Sequence, residues 1–430
     1  MGLDSEIHGG VAATPPGDAA VAAPGEQREN VEQLVVVSFS HAVQHFYPAG
    51  LAVAYPFVVS GLHVSYGVLG VVLGIAGIAG GLLQGVAGLA RRFSARLLLS
   101  IQNFGMAAAS LAGAIAPGFG LFGAARCVGS VVSWPQHPVG SAVLTRRFPT
   151  RRAYALSWHV AGGSIGTALT PIVVSALIAS YGWRVGVGAL SIPLAIGGLL
   201  VAWKLKEVRR RDESPAHVGH LATLRALLGR REAMGAIVAG TIAAGGRGLG
   251  TLSVYVPAYL KSDLHLPTLT VGALFTALLI GSIVGPVVVG YVADRVGRRR
   301  ILVVIYVLGA ATIAAFVLVG RGVAELSIVG VLIGLFAFSE SPLLQAVFSH
   351  GLDGIDHQGA FGYYFAISYG VGSLWTIALG VVIDSVGFHW AFYMMAISFL
   401  AAAVVVVWWA RPSEPGPAGG PEAPVDFHTM

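Results

Sequence analysis

Charge is what this sequence has least of: Asp, Glu, Lys and Arg together make up 11% of its 430 residues. Water-soluble domains carry about 25%, so an ordinary soluble fold is excluded. A single cysteine, Cys127, excludes a disulfide framework and a thiolate metal cluster. No Gly-x-x-x-x-Gly-Lys-Ser/Thr loop occurs, so a nucleotide is not the energy source. No His-Glu-x-x-His dyad and no nucleophile with a base in register points to an enzyme. The tails are too short to add the soluble domain that a receptor or scaffold would carry.

What is present is apolar length. Hydrophobic residues make up 55% of the chain, and glycine is abundant at 59 residues, as expected where membrane helices approach closely. Twelve runs are long enough to cross about 30 Å of hydrocarbon at 1.5 Å per residue. They lie near 33–59, 65–88, 97–116, 119–144, 153–180, 185–203, 233–260, 268–292, 301–320, 325–348, 358–382 and 388–409. In a bilayer such runs must be helices, since every backbone polar group needs an internal partner. An all-α membrane protein with twelve transmembrane helices is expected, with the lipid bilayer as its solvent.

The basic residues orient it. Arg91, Arg92 and Arg96 follow run two, Arg146, Arg147, Arg151 and Arg152 follow run four, a cluster from Lys204 to Arg231 follows run six, and Arg295 to Arg300 follows run eight. The alternate loops carry only Arg184, Lys261 and Arg321. The positive-inside rule places both termini in the cytoplasm of a multi-pass protein of the cytoplasmic (inner) membrane. The net charge of +6 is thereby accounted for, and no nucleic-acid partner is needed. Residues 1–32 and 411–430 are Ala/Pro/Gly-rich tails expected to be disordered, the first without the pattern of a signal peptide. Residues 205–232 form a linker between bundles at 33–204 and 233–410, with a short amphipathic helix expected over Leu221 to Leu228.

The two bundles repeat one another. At an offset of 204 residues, Trp134-Pro-Gln136-His137-Pro138 falls on Phe338-Ser-Glu340-Ser-Pro342, and Arg96 falls on Arg300. Runs four and ten are each expected to be interrupted by a proline. The loop Gly290-Tyr-Val-Ala-Asp294-Arg295-Val-Gly297-Arg298-Arg299-Arg300 has an eroded counterpart near Gly88 to Arg96, without the acid.

Twelve runs in two halves, a Gly-x-x-x-Asp-Arg-x-Gly-Arg-Arg loop after run eight, and Arg126 on run four resemble the major facilitator superfamily over about residues 33–410. The resemblance implies two pseudo-symmetric six-helix bundles rocking about a central cavity lined chiefly by runs one, four, seven and ten. It implies a secondary active transporter for a small-molecule substrate, acting as a monomer, without a cofactor. Ser40-His41-Ala-Val-Gln-His45, His137-Pro138 and Ser157-Trp-His-Val-Ala-Gly162-Gly163-Ser-Ile-Gly166 resemble fosmidomycin-resistance-type efflux proteins. His45 and Val139 stand where acidic residues are expected in that group. The usually stronger first-half loop is eroded here, so Asp294, Arg295 and Arg298 are expected to carry the cytoplasmic gate.

Ionisable residues inside the runs are few, and each is costly in hydrocarbon unless it faces a cavity. Arg247 and Arg126, with His41, His45 and His137, are the candidate substrate-binding residues. Two arginines against one glutamate suit a small organic anion such as a carboxylate; efflux of amphipathic drugs along an aromatic path is the alternative. Glu340, the one carboxylate well inside a run, is the candidate proton-coupling residue; its repeat counterpart is the neutral Gln136. Arg247 and Glu340 stand at similar depth and are able to neutralise each other. His41 and His45 share a helix face and are weighed with His137 as a metal site, but no carboxylate or cysteine accompanies the three at that depth, so no metal site is expected. His159 is read as a packing residue.

Overall fold

The structure is a computed structural model that describes residues 24–85, 93–207, 220–352, 355 and 357–409. The eroded loop, most of the tails and the first part of the linker lie largely outside these residues. Among those described, the chain is helical and carries no strand.

The first bundle is built from α1 (Pro24–Gly61), α2 (Tyr66–Gly85), α3 (Ala95–Ala114), α4 (Phe119–Val132), α5 (Ser141–Arg147), α6 (Arg152–Tyr181), α7 (Trp183–Ala189) and α8 (Ser191–Lys204). After α9 (His220–Leu228), the second follows with α10 (Arg231–Ala243), α11 (Ser253–Ala258), α12 (Thr268–Val296), α13 (Arg298–Phe316), α14 (Val323–Ala337), α15 (Glu340–His350), α16 (His357–Phe365), α17 (Leu374–Val386) and α18 (Phe388–Trp408). The expected linker helix is α9, which buries Leu227 and Thr223 and packs on α10 and α16.

Ten described helical stretches are long and apolar enough to cross a membrane. The other two expected spans, α1 and the stretch 119–147, are not among them. Each is long enough, but α1 carries Gln44, His45 and Pro48 in mid-course, and 119–147 is broken between α4 and α5. Both carry polar groups that line the site described below.

Small residues set how closely the helices approach. Gly166 on α6 abuts the carbonyl of Ala42 on α1, and Gly334 on α14 abuts that of Leu278 on α12. A side chain at either place would collide with backbone, which cannot yield as a rotamer can. In a bilayer this close packing replaces the hydrophobic drive that lipid does not supply.

The repeat is visible in the packing. Gln102 on α3 donates to Gln136 Oε1 at 2.7 Å, and Tyr306 on α13 donates to Glu340 Oε1 at 3.3 Å. Donors and acceptors are each 204 residues apart, so one buried contact occurs once in each bundle with different chemistry. The loops repeat less strictly. Arg96 reaches the Leu205 carbonyl, and the residue that reaches the matching end of the second bundle, at Val406 and Val407, is Arg299 rather than Arg300.

Candidate functional site: a cavity between the bundles

Helix breaks build the site. Span four passes from α4 through a π-helical turn at Gln136–Gly140 before α5 begins. Pro138 in that turn cannot donate a backbone bond, and the widened turn presents His137 on its outer face. Span seven breaks more sharply. A 3₁₀ turn at Ala244–Gly246 ends at Arg247, whose backbone is extended (φ −67°, ψ 133°), and Gly250 takes φ 177° before α11 resumes. Sequence reading expected an unbroken helix over 233–260; the glycines at 245, 246, 248 and 250 are what permit the break. In span ten the break comes at residues 338–339, so Pro342 lies in the first turn of α15, where the lost donor is harmless.

Between the bundles lies a cavity of about 360 Å³. Its walls include His45 and Tyr55 of α1, Arg126 and His137 of span four, Arg247 of span seven and Tyr369 of span eleven. Among the described residues no aspartate or glutamate lines it. Its aromatic lining is Tyr55, Trp134, Phe275 and Tyr369.

The two arginines differ. Arg247 faces Glu340, with Nε 3.3 Å from Oε2 and Nη2 3.4 Å from Oε1. Nη1 donates to the Ser368 carbonyl at 2.9 Å and Nη2 to the Gly240 carbonyl at 2.5 Å, and the guanidinium lies over the Tyr369 ring. Its charge is balanced inside the protein. Arg126 donates from Nε to Tyr55 Oη at 3.0 Å and lies 5.9 Å from the Tyr47 ring centre. Among the described residues no carboxylate is within 4.0 Å of Arg126 and its terminal nitrogens have no partner. Glu340 is fully buried and is not part of the cavity wall. Gln136, its repeat counterpart, accepts from Ser40 and Gln102 and donates to the Val37 carbonyl.

The histidines form one group. His41 Nδ1 donates to the His159 carbonyl at 2.7 Å, and His45 Nε2 lies 3.1 Å from His41 Nε2. His45 Nδ1 is 2.9 Å from Thr167 Oγ1. The His137 ring stands edge-on to His41 with centres 4.9 Å apart, and the His159 ring stacks on His41 at 4.1 Å. One ring nitrogen from each of His41, His45 and His137 lies within 4.8 Å of the other two. His41 and His45 share α1, and the fold brings His137 to them from span four. Gly163 makes room for the group, since a methyl group there would stand 2.7 Å from His41 Cε1. His159, read from sequence as packing, is buried with both ring nitrogens unpartnered among the described residues.

The residues expected to form the gate lie elsewhere. Asp294 Oδ1 accepts from Arg298 at 3.1 and 3.2 Å across the turn at Gly297 (φ +107°), while Arg298 also reaches His350 at 2.9 Å. Arg295 covers the Tyr291 ring. All these contacts are within the second bundle.

Two helical bundles related by an internal repeat, with a cavity at their interface, are the architecture of a membrane transporter. The Major Facilitator Superfamily profile matches residues 37–373 and 236–427, and the chain belongs to that superfamily. It is 23% identical over 384 residues to the Fosmidomycin resistance protein of Escherichia coli (strain K12), covering 85% of this chain and 89% of the relative. Its fold is similar to that of the nucleoside transporter NupG, with a TM-score of 0.73 at 14% identity over 90% of this chain and 100% of that one. It is also similar to a bacterial homologue of the human lysosomal transporter Spinster in an inward-facing, unoccupied conformation, with a TM-score of 0.67 at 14% identity over 89% and 95% of the two chains. The protein is a multi-pass membrane transporter and not an enzyme.

Proposed function

We propose that the protein is a secondary active transporter for a small organic anion, such as a carboxylate, bound by Arg126 in the cavity between the bundles. The observation that carries this reading is a guanidinium on the wall of a cavity without a lining carboxylate, its terminal nitrogens unpartnered among the described residues. A planar cation with free donors in a site of low dielectric favours a carboxylate or a similar oxyanion. Arg247 shapes the wall but is already balanced by Glu340, so Arg126 takes the leading role, with His45 and His137 beside it.

Protons are the coupling ion in this reading. Protonation of Glu340 would free Arg247 and loosen the join between spans seven, ten and eleven. Asp294, Arg295 and Arg298 serve as the gate on the basic face, and both termini lie in the cytoplasm of a cytoplasmic-membrane protein. Export of an antibacterial compound is the second reading, favoured by the name of the Escherichia coli relative.

The test is flux of labelled monocarboxylates in proteoliposomes under an imposed pH gradient. Arg126→Gln should abolish anion flux, and Arg126→Lys should restore part of it. Glu340→Gln should leave exchange of anions intact while uncoupling flux from the gradient. Unchanged anion flux in Arg126→Gln, with export of amphipathic drugs by the same vesicles, would favour the second reading.

A further inference from the structure

We propose that His41, His45 and His137 bind a first-row divalent transition ion, of the zinc, cobalt or nickel type, on the wall of the transport cavity. Three ring nitrogens lie within 4.8 Å of one another, drawn from α1 and from the π-helical turn of span four. The His41 and His45 Nε2 atoms are 3.1 Å apart. Two nitrogens bound at 2.0–2.1 Å to a tetrahedral ion stand about 3.3 Å apart, so this pair is already near ligating separation. π-helical turns often mark functional sites, and the one here carries the third ligand.

The hydrogen bonds around the rings supply an independent argument. His41 Nδ1 donates to a carbonyl, which leaves Nε2 with a lone pair. His45 Nε2 must then give its proton to His41, and His45 Nδ1 becomes an acceptor. Thr167 Oγ1 is left with one proton for two acceptors, His45 Nδ1 at 2.9 Å and the Gly163 carbonyl at 2.9 Å. An ion held by both Nε2 atoms removes the conflict. His45 Nδ1–H then donates to Thr167, and Thr167 donates to Gly163. The His41 and His45 rings then each have their other nitrogen bound to a protein oxygen, which is how metal-ligating histidines are oriented.

The donor set selects the ion class. Neutral imidazoles without a carboxylate suit zinc, cobalt, nickel or copper, and not magnesium or calcium. His45 and His137 line the cavity while His41 stands behind them. The position left open by three protein ligands therefore faces the cavity, where water or a solute would complete the sphere. If the cargo is an anion, the ion would be a second positive charge beside Arg126, but the site stands on its own geometry.

The test is a Co²⁺ titration of tag-free, full-length protein in detergent, followed by the visible absorption of tetrahedral cobalt. One saturable ion per chain is expected. The band should vanish in His45→Ala and His137→Ala and persist in His389→Ala, a change at the start of α18. Thr167→Val should weaken binding by about 10- to 100-fold. Cobalt should raise the melting temperature of the wild type and not that of His137→Gln, a change at a cavity-lining position that leaves the buried core intact. No saturable band in the wild type, or a band undiminished by His45→Ala and His137→Ala together, would overturn the proposal.

Discussion

Arg247 uses every nitrogen of its guanidinium inside the protein, on Glu340, Ser368 and Gly240, and Glu340 in turn accepts from Tyr306. A buried pair of this kind contributes little net stability, because desolvating two charges offsets their attraction, whereas removing one partner strands the other. Arg247→Leu alone should therefore destabilise the protein by about 3–5 kcal/mol. The double variant Arg247→Leu with Glu340→Leu should recover most of that loss, and both should be inactive in coupled transport. Thermal unfolding in detergent reads the first effect and vesicle flux the second. Additive losses in the double variant would mean that the two side chains act separately. The repeat makes the same point by contrast. Gln136 sits where Glu340 does and is satisfied by neutral donors, so a titratable group at this position occurs in one bundle only.

At the scale of elements, the long helices were readable because their apolar runs exceed what any soluble helix needs. Runs four and ten were readable as interrupted because proline removes a donor. The break at Arg247 was not, because glycines in a membrane helix signal close packing as readily as a kink, and only the surroundings decide. The candidate cavity residues were found from cost alone, since polar groups in hydrocarbon need a reason. Which arginine is balanced and which is free depends on side-chain direction across helices far apart in sequence, and no spacing encodes it. At the basic face, Glu29 of α1 joins Lys206 at 2.6 Å and Arg147 of α5 at 3.1 Å, while Gln33 bonds both Lys204 and Lys206. The hydrogen bond from Lys206, then that from Arg147, holds the Glu29 carboxyl below its ordinary value of 4.5. A carboxyl with a depressed value stabilises the fold above its unfolded value and loses that contribution as the pH falls through the folded one. The wild type should melt slightly higher than Glu29→Gln at neutral pH, with the small margin of a solvent-exposed pair. That difference should disappear as the pH is lowered well below 4.5. A margin independent of pH would assign the effect to packing instead.

At the scale of the whole molecule, the contacts that join the bundles decide what must part as the cavity changes faces. Hydrogen bonds at mid-height or toward the face opposite the basic loops include Ser373 to the Gly74 carbonyl, Thr376 to that of Gly70, Thr276 to that of Ala168, and Tyr66 with Ser262 at 2.7 Å. At that face Asp384 of α17 accepts from the backbone nitrogens of Tyr66 at 2.9 Å and Gly67 at 2.7 Å, at the N-terminus of α2. One carboxylate thus satisfies two donors that a helix start leaves free, and it sits at the positive end of the α2 dipole. Glycines let the two helices meet along this seam, with Gly70 against the Thr376 carbonyl and Gly380 against that of Tyr66. A carrier that alternates must part α2 from α17 here to open this face, and the Asp384 bonds are the charged contacts among those that must break. A charged group at a helix N-terminus contributes about 0.3–1 kcal/mol, and up to about 2 kcal/mol when partly buried. Asp384→Asn keeps the shape and removes the charge, so it should shift the population toward the state open at this face by up to about 30-fold. Spin labels on His63→Cys and Asp263→Cys, with Cys127→Ser, would report the separation of the bundles there. A larger long-distance population in Asp384→Asn is expected. An unchanged distance distribution would mean that the glycine seam and its other hydrogen bonds hold the face shut and that Asp384 only caps a helix.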